Sequence, residues 1–196
     1  MIIYLDTETT GLRPGNICQL SYIIQDKDNI RAKNFFFTVG YVEPAALMVH
    51  GFSVEKLKVL SSGKKFSDHL EEIELDFNSA DVVIAHNTAF DFMFLRTEFE
   101  RCGSVFAPNG EFCSMKKATP VCKIPRANGV GYKYPKLSEL TCHLGVSDRE
   151  ILICAKQLFG SECGYHDARF DTCALFLAVN YGANKCEEFE VLKKFM

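Results

Sequence analysis

The chain has 196 residues, of which 47% are hydrophobic and 24% charged, and its net charge is -3. This length suits one domain over residues 1–196, and the composition excludes a fibre or a disordered chain. No apolar run is long enough for a signal peptide or a membrane span, so we expect an unexported, cytoplasmic protein with no membrane partner. Nothing in the sequence sets the oligomeric state.

The nine cysteines include no C-x-x-C pair, which argues against a structural zinc site. We expect reduced and mostly buried thiols. The acidic balance does not exclude a nucleic-acid substrate, because divalent cations held between carboxylates would offset it.

Three strands are predicted early in the chain. Residues 1–5 are apolar, residues 17–25 mix apolar and β-branched side chains, and residues 33–39 are aromatic. Turn residues separate these runs, as in an antiparallel meander. Residues 82–85 are wholly apolar, which is typical of a buried central strand.

Helical patterns begin after the third strand. Ser53 is a candidate N-cap, and residues 66–77 carry apolar side chains at helical spacing. Further helices are predicted over residues 92–99, 137–144 and 168–181. This order predicts an α/β domain with a mixed sheet, a central first strand, and a ligand site at the carboxyl ends of the strands.

The strongest chemical signal is the segment DTETTG, which follows the first predicted strand. Its acids, Asp6 and Glu8, lie two residues apart at a strand end, so their carboxylates leave the same face. Adjacent carboxylates repel each other unless a cation lies between them. Gly11, which closes the segment, allows the backbone to approach a ligand closely.

Two later segments carry further candidate groups. Asp91 ends AHNTAFD, just after the fourth strand, where an acid near a helix dipole is the plainer interpretation. In HDARFD, His166 and Asp171 lie five residues apart and can face one centre, although a lone histidine is more often a surface or capping residue. Asp167 is an alternative N-cap for the helix that follows.

Taken together, these segments resemble the DEDDh 3′–5′ exonucleases, the family of ribonuclease T and of the proofreading epsilon subunit of bacterial DNA polymerase III. The motifs appear here as DTETTG, AHNTAFD and HDARFD, and VHGFS at residues 49–53 resembles a segment between the first two. The resemblance covers nearly the whole chain. It implies an RNase H-like α/β fold, with a mixed five-stranded sheet flanked by helices, and release of nucleoside monophosphates from a 3′ end.

The same resemblance implies roles for individual residues. Two Mg²⁺ or Mn²⁺ ions would be held by Asp6, Glu8, Asp91 and Asp171. His166 would be the general base that takes a proton from the attacking water. The last nucleotide would contact Thr7, Leu12, His50, Asn87 and Phe90. Packing in the core is the alternative for Leu12 and Phe90.

The substrate is expected to be the 3′ end of DNA, single-stranded or frayed. Trimming of RNA 3′ ends is one alternative, since the sequence does not show the local shape that reads a 2′-hydroxyl. A proofreading subunit bound to a DNA polymerase is another. The bacterial epsilon subunit has a longer tail that docks on its polymerase, and this chain ends about one helix beyond Tyr181, so we expect a free-standing nuclease or a differently tethered one. A binding module without catalysis would lack one of the five catalytic side chains, and all five are present.

One feature is independent of the resemblance. Residues 112–138 contain no acid, and their prolines and glycines predict a loop. The segment carries six cations and two aromatic side chains: Lys116, Lys117, Lys123, Arg126, Lys133, Lys136, Tyr132 and Tyr134. A surface that guides a nucleic-acid strand is one interpretation, and an ordinary solvated loop is the other.

Overall fold

The computed structural model describes residues 1–160 and 162–196, which are organised around one mixed sheet. The strands are β1 (Ile2–Thr9), β2 (Ile17–Asp26), β3 (Asn29–Phe36), β4 (Val82–Ala85) and β5 (Glu111–Cys113). Their order is β3-β2-β1-β4-β5, in which β2 is antiparallel to β1 and β3, whereas β4 is parallel to β1 and β5. The predicted mixed five-stranded sheet with a central first strand is confirmed.

Nine α-helices are found within the described residues. They are α1 (Pro44–His50), α2 (Val54–Leu60), α3 (Leu70–Asn78), α4 (Thr88–Arg101), α5 (Ser114–Cys122), α6 (Leu137–Leu144), α7 (Asp148–Phe159), α8 (Ala168–Lys185) and α9 (Glu187–Glu190). Short 3₁₀ helices span Phe66–His69 and Lys193–Phe195. In the part of the chain that is described, no helix has the length and apolar character needed to cross a membrane.

The alternation of side chains along β1 divides the core into two layers. Ile3 and Leu5 pack with α4 on one face, in a cluster that also holds Phe92. Ile2 and Tyr4 pack on the other face with residues of α6, α7 and α8. Because residues two apart share a face, the even-numbered acids of β1 lie on the side that α8 covers.

The predicted elements differ from the observed ones mainly at their ends. β1 continues to Thr9 because its polar residues keep pairing with β2, Asp6 with Ser21 and Glu8 with Gln19. β3 starts at Asn29, directly after the turn, since the antiparallel pairing with β2 begins there. Ser53 caps α2 as predicted, with its side chain accepting a hydrogen bond from the backbone N–H of Lys56.

Five elements, α1, β5, α5, α7 and α9, were not predicted. The prediction of a loop is wrong for residues 114–122, which form α5 even though Pro120 lies inside it. The helix is fixed by packing, since Ser114 and Ala118 are buried. Proline removes one backbone donor and disfavours the helix turn before it, so tertiary contacts outweigh the local signal here.

All nine cysteines are free thiols. The prediction that most of them are buried is wrong. Cys18, Cys154 and Cys173 are buried, Cys142 is exposed, and the other five are half-buried. Four of the five half-buried cysteines lie at the end of a strand or helix or directly after one, where neighbouring elements cover a side chain only in part.

Candidate active site

Three carboxylates meet at the carboxyl end of β1. Asp6 and Glu8 leave the face of β1 that α8 covers, and Asp171 lies in the first turn of α8. One carboxylate oxygen from each of the three lies within 4.8 Å of the other two. Across the described residues, no lysine or arginine forms an ion pair with any of them. The structure therefore brings together three of the four predicted metal ligands.

The electrostatics of this three-carboxylate cluster favour a bound cation. Burial, followed by repulsion from Asp171 and Asp91, raises the pKa of Asp6 well above its usual value. Burial and then Asp171 raise the pKa of Glu8 to about 9. Burial raises the pKa of Asp171 to about 6, although the nearby His166 lowers it. A cation relieves this repulsion, and an all-oxygen set is the kind that Mg²⁺ and Mn²⁺ prefer, so the residues fit such an ion.

The position of α8 over the sheet depends on Gln19, a buried amide on β2. Its Oε1 accepts a hydrogen bond from the backbone N–H of Ala168 at 3.1 Å, and its Nε2 donates to Asp167 Oδ1 at 2.9 Å. Gln19 is also the residue that pairs with Glu8 in the sheet. This contact sets the start of α8, and hence Asp171, beside Glu8. Sequence reasoning missed Gln19, whose only signal is a polar residue in an apolar strand.

Asp167 is the N-cap of α8, which was the alternative from the sequence. Its Oδ1 accepts a hydrogen bond from the backbone N–H of Arg169 at 3.1 Å, and its carboxylate pairs with the Arg169 guanidinium at 2.6 Å. Burial raises the pKa of Asp167, but the hydrogen bonds from Arg169 and Gln19 outweigh burial and lower it. Asp167 thus has its own cation and belongs to the helix start.

Asp91 lies close to the cluster but outside it. It sits in the first turn of α4, and its Oδ1 accepts a hydrogen bond from Thr7 Oγ1 at 2.8 Å, with both side chains buried. Burial raises the pKa of Asp91 to about 7, and the bond from Thr7 lowers it. Its charge still raises the pKa values of Asp6 and Glu8. The plainer interpretation, an acid at a helix start, describes its position but not its contact with β1.

His166 lies in the turn just before α8, where it is exposed. Its backbone N–H donates a hydrogen bond to the Asp171 carboxylate. Its φ of 60° is left-handed, which costs a non-glycine residue about 1–3 kcal/mol and persists where the surroundings enforce it. His166 and Asp171 line one cavity of about 280 Å³. His166 thus borders the same cavity as Asp171, whereas the three-carboxylate cluster itself consists of Asp6, Glu8 and Asp171.

A second cavity, also about 280 Å³, is bordered by Glu8. Four of the five residues predicted to contact a nucleotide line it: Thr7, Leu12, His50 and Phe90. The alternative role for Leu12, packing in the core, is wrong, because its side chain is 81% exposed. Phe90 is half-buried and packs against the Phe94 ring with centroids 5.0 Å apart, so it faces both the cavity and the core.

His50 is fixed in the wall of this second cavity by both ring nitrogens. Nδ1 accepts a hydrogen bond from the backbone N–H of Phe52 at 3.0 Å, and Nε2 lies 3.2 Å from the carbonyl oxygen of Thr9. A carbonyl only accepts, so Nε2 carries the proton and the ring is neutral. Burial lowers the pKa of His50, which agrees with this neutral form.

Asn87 is the predicted contact that does not line the second cavity. It caps α4 with φ 131° and ψ 60°, a conformation that is rare for any residue other than glycine. Its side chain has no hydrogen-bond partner among the residues that the structure describes. Such a strained backbone persists only where the surrounding structure enforces it, and strained residues are common at functional sites.

Glu43 was missed by sequence reasoning, because a residue before Pro44 carries no motif. Its side chain lines the second cavity. A Cβ atom at Gly11 would lie 2.3 Å from Glu43 Cδ. The space above Gly11 is therefore filled by the Glu43 carboxyl group, whereas the sequence predicted a close approach to a ligand.

Comparison with known proteins places this arrangement in a family. Residues 3–152 match the model of the RNase_T family, which is described as an exonuclease family. The chain belongs to this exonuclease family. The matched range contains Asp6, Glu8 and Asp91 and ends before His166 and Asp171. The resemblance found in the sequence is confirmed at the level of the family.

Similar proteins include the DNA polymerase III epsilon subunits of Rickettsia felis and Rickettsia conorii. Each is 34% identical to this exonuclease-family chain over 105 residues, which are 49% of this chain and 43% of the relative. Among solved structures, Escherichia coli Exonuclease I in complex with a dA16 oligonucleotide has a TM-score of 0.75 at 17% identity. Exonuclease I from Methylocaldum szegediense has a TM-score of 0.72, also at 17% identity.

These alignments differ in how much of each protein they cover. Both Exonuclease I matches span 97% of this chain and 42% of the solved chain. The chain therefore spans less than half the length of the relatives and structures it matches. At this identity the structures support the fold, and they confirm the predicted RNase H-like architecture.

Proposed function

We propose that this chain is a metal-dependent 3′–5′ exonuclease of the DEDDh type, which releases nucleoside monophosphates from the 3′ end of single-stranded or frayed DNA. One observation carries the proposal: Asp6, Glu8 and Asp171 converge on one point without a cation from the chain. Membership in the exonuclease family supports it. The named activity of Exonuclease I and its complex with dA16 support the choice of DNA.

The cluster would hold Mg²⁺ or Mn²⁺, and we propose two ions. Asp6, Glu8 and Asp171 would be direct ligands, and Asp91 would contribute its negative charge from outside the cluster. When bound, such metals lower the pKa of water and stabilise the charge that develops on a phosphate during hydrolysis.

His166 would act as the general base. It would take a proton from the water that attacks the phosphate, and its place on the wall of the cavity that Asp171 also lines supports this role. Because His166 is exposed, the proton it accepts can pass to solvent. The hydrogen bond from the backbone N–H of His166 to the Asp171 carboxylate would hold the base beside the cluster.

The second cavity would receive the terminal nucleotide. Leu12 and Phe90 offer apolar surface to a sugar or a base, a contact that every base can make. His50 is held neutral by its two hydrogen bonds, so it would form no ion pair with the phosphate. It would instead shape the wall of the second cavity. Thr7 and Asn87 would complete this contact from the ends of β1 and β4. Such a site removes nucleotides without regard to sequence.

We also propose that residues 1–196 act as one exonuclease domain. The cluster takes Asp6 and Glu8 from β1 and Asp171 from α8, so the two ends of the chain build one site. A role as a proofreading subunit is a second candidate, favoured by the 34% identity to epsilon subunits. Co-purification of a DNA polymerase with the tagged chain would support it.

The test is degradation of matched DNA and RNA oligonucleotides carrying 5′ or 3′ labels, single- and double-stranded, with Mg²⁺, Mn²⁺ or EDTA. A 5′-labelled DNA strand should shorten in single-nucleotide steps with metal and remain intact in EDTA. The Asp6→Asn variant is the matched control for contaminating nucleases. Shortening from the 5′ end, or activity in EDTA, would reject the proposal. Faster degradation of RNA than of DNA would show that the substrate is the 3′ end of RNA.

A further inference from the structure

We propose that the basic hairpin, defined as residues 123–136, binds the single-stranded polynucleotide on the 5′ side of the nucleotide being removed. The inference rests on the proposed nuclease function and extends it from the terminal nucleotide to the flanking strand. It requires an ordered element, attached to the active site, that offers cations for phosphates and rings for bases. The structure supplies each of these.

The segment is an ordered hairpin. Pro125 and Tyr132 form an antiparallel bridge. The backbone N–H of Lys133 donates to the carbonyl oxygen of Ile124 at 2.9 Å, and that of Arg126 donates to Gly131 at 3.1 Å. These bonds hold two arms together, so side chains on the arms have defined positions and lose less entropy on binding than those of a free loop.

The returning arm is attached to the edge of the sheet that carries the active site. His86, which directly follows β4, has Nε2 3.0 Å from the carbonyl oxygen of Pro135 and Nδ1 2.9 Å from Ser114 Oγ. A carbonyl only accepts, so Nε2 donates to Pro135 and Nδ1 accepts from Ser114. The partly buried imidazole thus links β4, α5 and the hairpin at the carboxyl ends of the strands.

The hairpin is also continuous with the proposed catalytic centre. Lys136, at its end, lines the same cavity as His166 and Asp171. A strand whose reacting phosphate lies at the cluster has Lys136 as a neighbouring cation and then the hairpin arms. The second cavity would hold the terminal nucleotide. The 5′ flank of the strand would therefore leave the cluster through the other cavity, which Lys136 lines.

The charges of the hairpin are divided between anchoring and binding. Lys133 forms a salt bridge with Glu139 at 2.6 Å, which ties the hairpin to α6. Lys123, Arg126 and Lys136 are exposed and have no ion-pair partner among the described residues, although Arg126 Nε also donates to the carbonyl oxygen of Tyr132 at 3.0 Å within the hairpin. No acid occurs between Glu111 and Glu139 to offset them. Uncompensated cations beside an acidic centre attract the phosphates that flank the reacting one.

The aromatic residues favour a single strand as the occupant. Tyr132 is 43% exposed and Tyr134 is 57% exposed. Residues two apart in an extended arm share a face, with Lys133 turned to the other side. Bases stack on such rings when they are unpaired, regardless of sequence, whereas a duplex hides their faces. Cations interleaved with exposed rings therefore suit a single-stranded polynucleotide.

The experiment compares two double variants that remove the same charge. Lys123→Gln with Arg126→Gln changes the hairpin. Lys27→Gln with Arg31→Gln changes the exposed β2–β3 turn, at the opposite end of β1, and Lys27 matches Lys123 in having a left-handed backbone. Binding of 5′-fluorescein-labelled dT3 and dT12 is measured in EDTA by fluorescence anisotropy at several salt concentrations. EDTA keeps the oligonucleotides intact.

The unmodified protein should bind dT12 more tightly than dT3. The hairpin variant should lose about tenfold in affinity for dT12, and its slope of log affinity against log salt should fall by about 1.4, or 0.7 for each lost phosphate contact. The control variant should change neither. Equal effects of the two variants, or an unchanged slope in the hairpin variant, would overturn the proposal.

A further variant separates the rings from the charges. Tyr134→Leu should lower the affinity for dT12 by about 5-fold to 100-fold and leave the salt slope unchanged, since stacking releases no counterions. Melting temperatures within about 2 °C of the unmodified protein would show that the variants fold. Unaltered dT12 binding by Tyr134→Leu would contradict a role for the rings. Hydrolysis of the p-nitrophenyl ester of thymidine 5′-monophosphate with Mg²⁺ needs only the cluster and the second cavity. This assay therefore tests the proposed nuclease function independently of the hairpin.

Discussion

Buried and half-buried acids in this protein have two different kinds of surroundings. Asp76 accepts hydrogen bonds from Tyr22 Oη at 2.8 Å and Lys33 Nζ at 2.6 Å. Glu98 accepts one from the backbone N–H of Ile17 at 2.9 Å. The cluster of Asp6, Glu8 and Asp171 instead gathers three acids with no cation from the chain.

This difference shows how to separate a structural acid from a functional one. Taking a carboxylate out of water is costly unless it is paired, and a fold that only needed stability would supply the partner, as it does for Asp76. At the cluster the partner must come from outside, either as protons or as metal ions.

The largest effect is expected for Asp6→Asn, which keeps the shape of the side chain and removes one negative charge. Turnover should fall by about 10⁴-fold or more, because several kcal/mol of charge stabilisation disappears with the metal. The melting temperature in EDTA should hold or rise, since repulsion from Asp171 and Asp91 is relieved. Differential scanning fluorimetry and a single-turnover assay measure the two quantities.

Asp76→Asn is the matched change on the structural side of the comparison. It weakens the contacts to Lys33 and Tyr22, so the free energy of unfolding should fall by about 1–3 kcal/mol while turnover stays close to that of the unmodified protein. If Asp6→Asn lowers the melting temperature in EDTA as much as Asp76→Asn does, then Asp6 is a structural acid and the contrast is wrong.

The sequence predicts the cluster unevenly, and the reason is the range of the contacts. Asp6 and Glu8 follow from strand alternation, which is local. Asp171 came from the family resemblance, because no local rule brings α8 to β1. Gln19 was missed, although it fixes the start of α8 through its bond to Ala168, 149 residues away. Pairwise contacts at such separations leave no periodic signal.

The fold shows the same division. The central β1, the apolar β4 and the cap of α2 were predicted because each depends on neighbouring residues. The three-residue β5 and the proline-containing α5 were not, since β5 exists through pairing with β4 and α5 through burial of one face. Tertiary contacts decide both elements against their local propensity.

His166→Gln should reduce turnover by roughly 10²–10⁴-fold, the usual contribution of a positioned general base. Affinity for Mn²⁺, measured by titration calorimetry, should remain, because the three cluster acids are intact. Normal turnover in the variant would make His166 a capping or surface residue.

Thr7→Val is expected to have a smaller effect. It removes the hydroxyl that donates to Asp91 Oδ1 and keeps the shape of the side chain. Loss of a partner that supports a metal-site acid lowers activity by about 10–100-fold. Since the bond from Thr7 lowers the pKa of Asp91, now about 7, the variant should need a higher pH to ionise Asp91 and should recover activity as pH rises.

Thr7→Ser is the control, because serine keeps the hydroxyl donor. It should stay within about threefold of the unmodified protein at all pH values. A defect in Thr7→Val that does not depend on pH, or one that Thr7→Ser shares, would show that Thr7 acts through packing rather than through Asp91.

The smallest effect concerns the stability of the metal-free protein between pH 6 and pH 9. Burial and Asp171 raise the folded pKa of Glu8 to about 9 from an ordinary value of 4.5, so the folded protein holds a proton that the unfolded chain has released. The stabilisation from that proton is complete below pH 4.5 and is lost as pH rises through 9. In EDTA, the free energy of unfolding should therefore fall by roughly 1–3 kcal/mol across this range, which is a fall in melting temperature of about 2–10 °C. Mg²⁺ competes with those protons, so its stabilising effect should grow over the same interval.

Glu8→Gln, which cannot ionise, should flatten the profile in EDTA, whereas Glu98→Gln should leave its slope intact because Glu98 already has partners within the chain. A slope in Glu8→Gln equal to that of the unmodified protein would mean that Glu8 does not hold this proton, and the contrast between paired and unpaired acids would then lose its thermodynamic basis at Glu8.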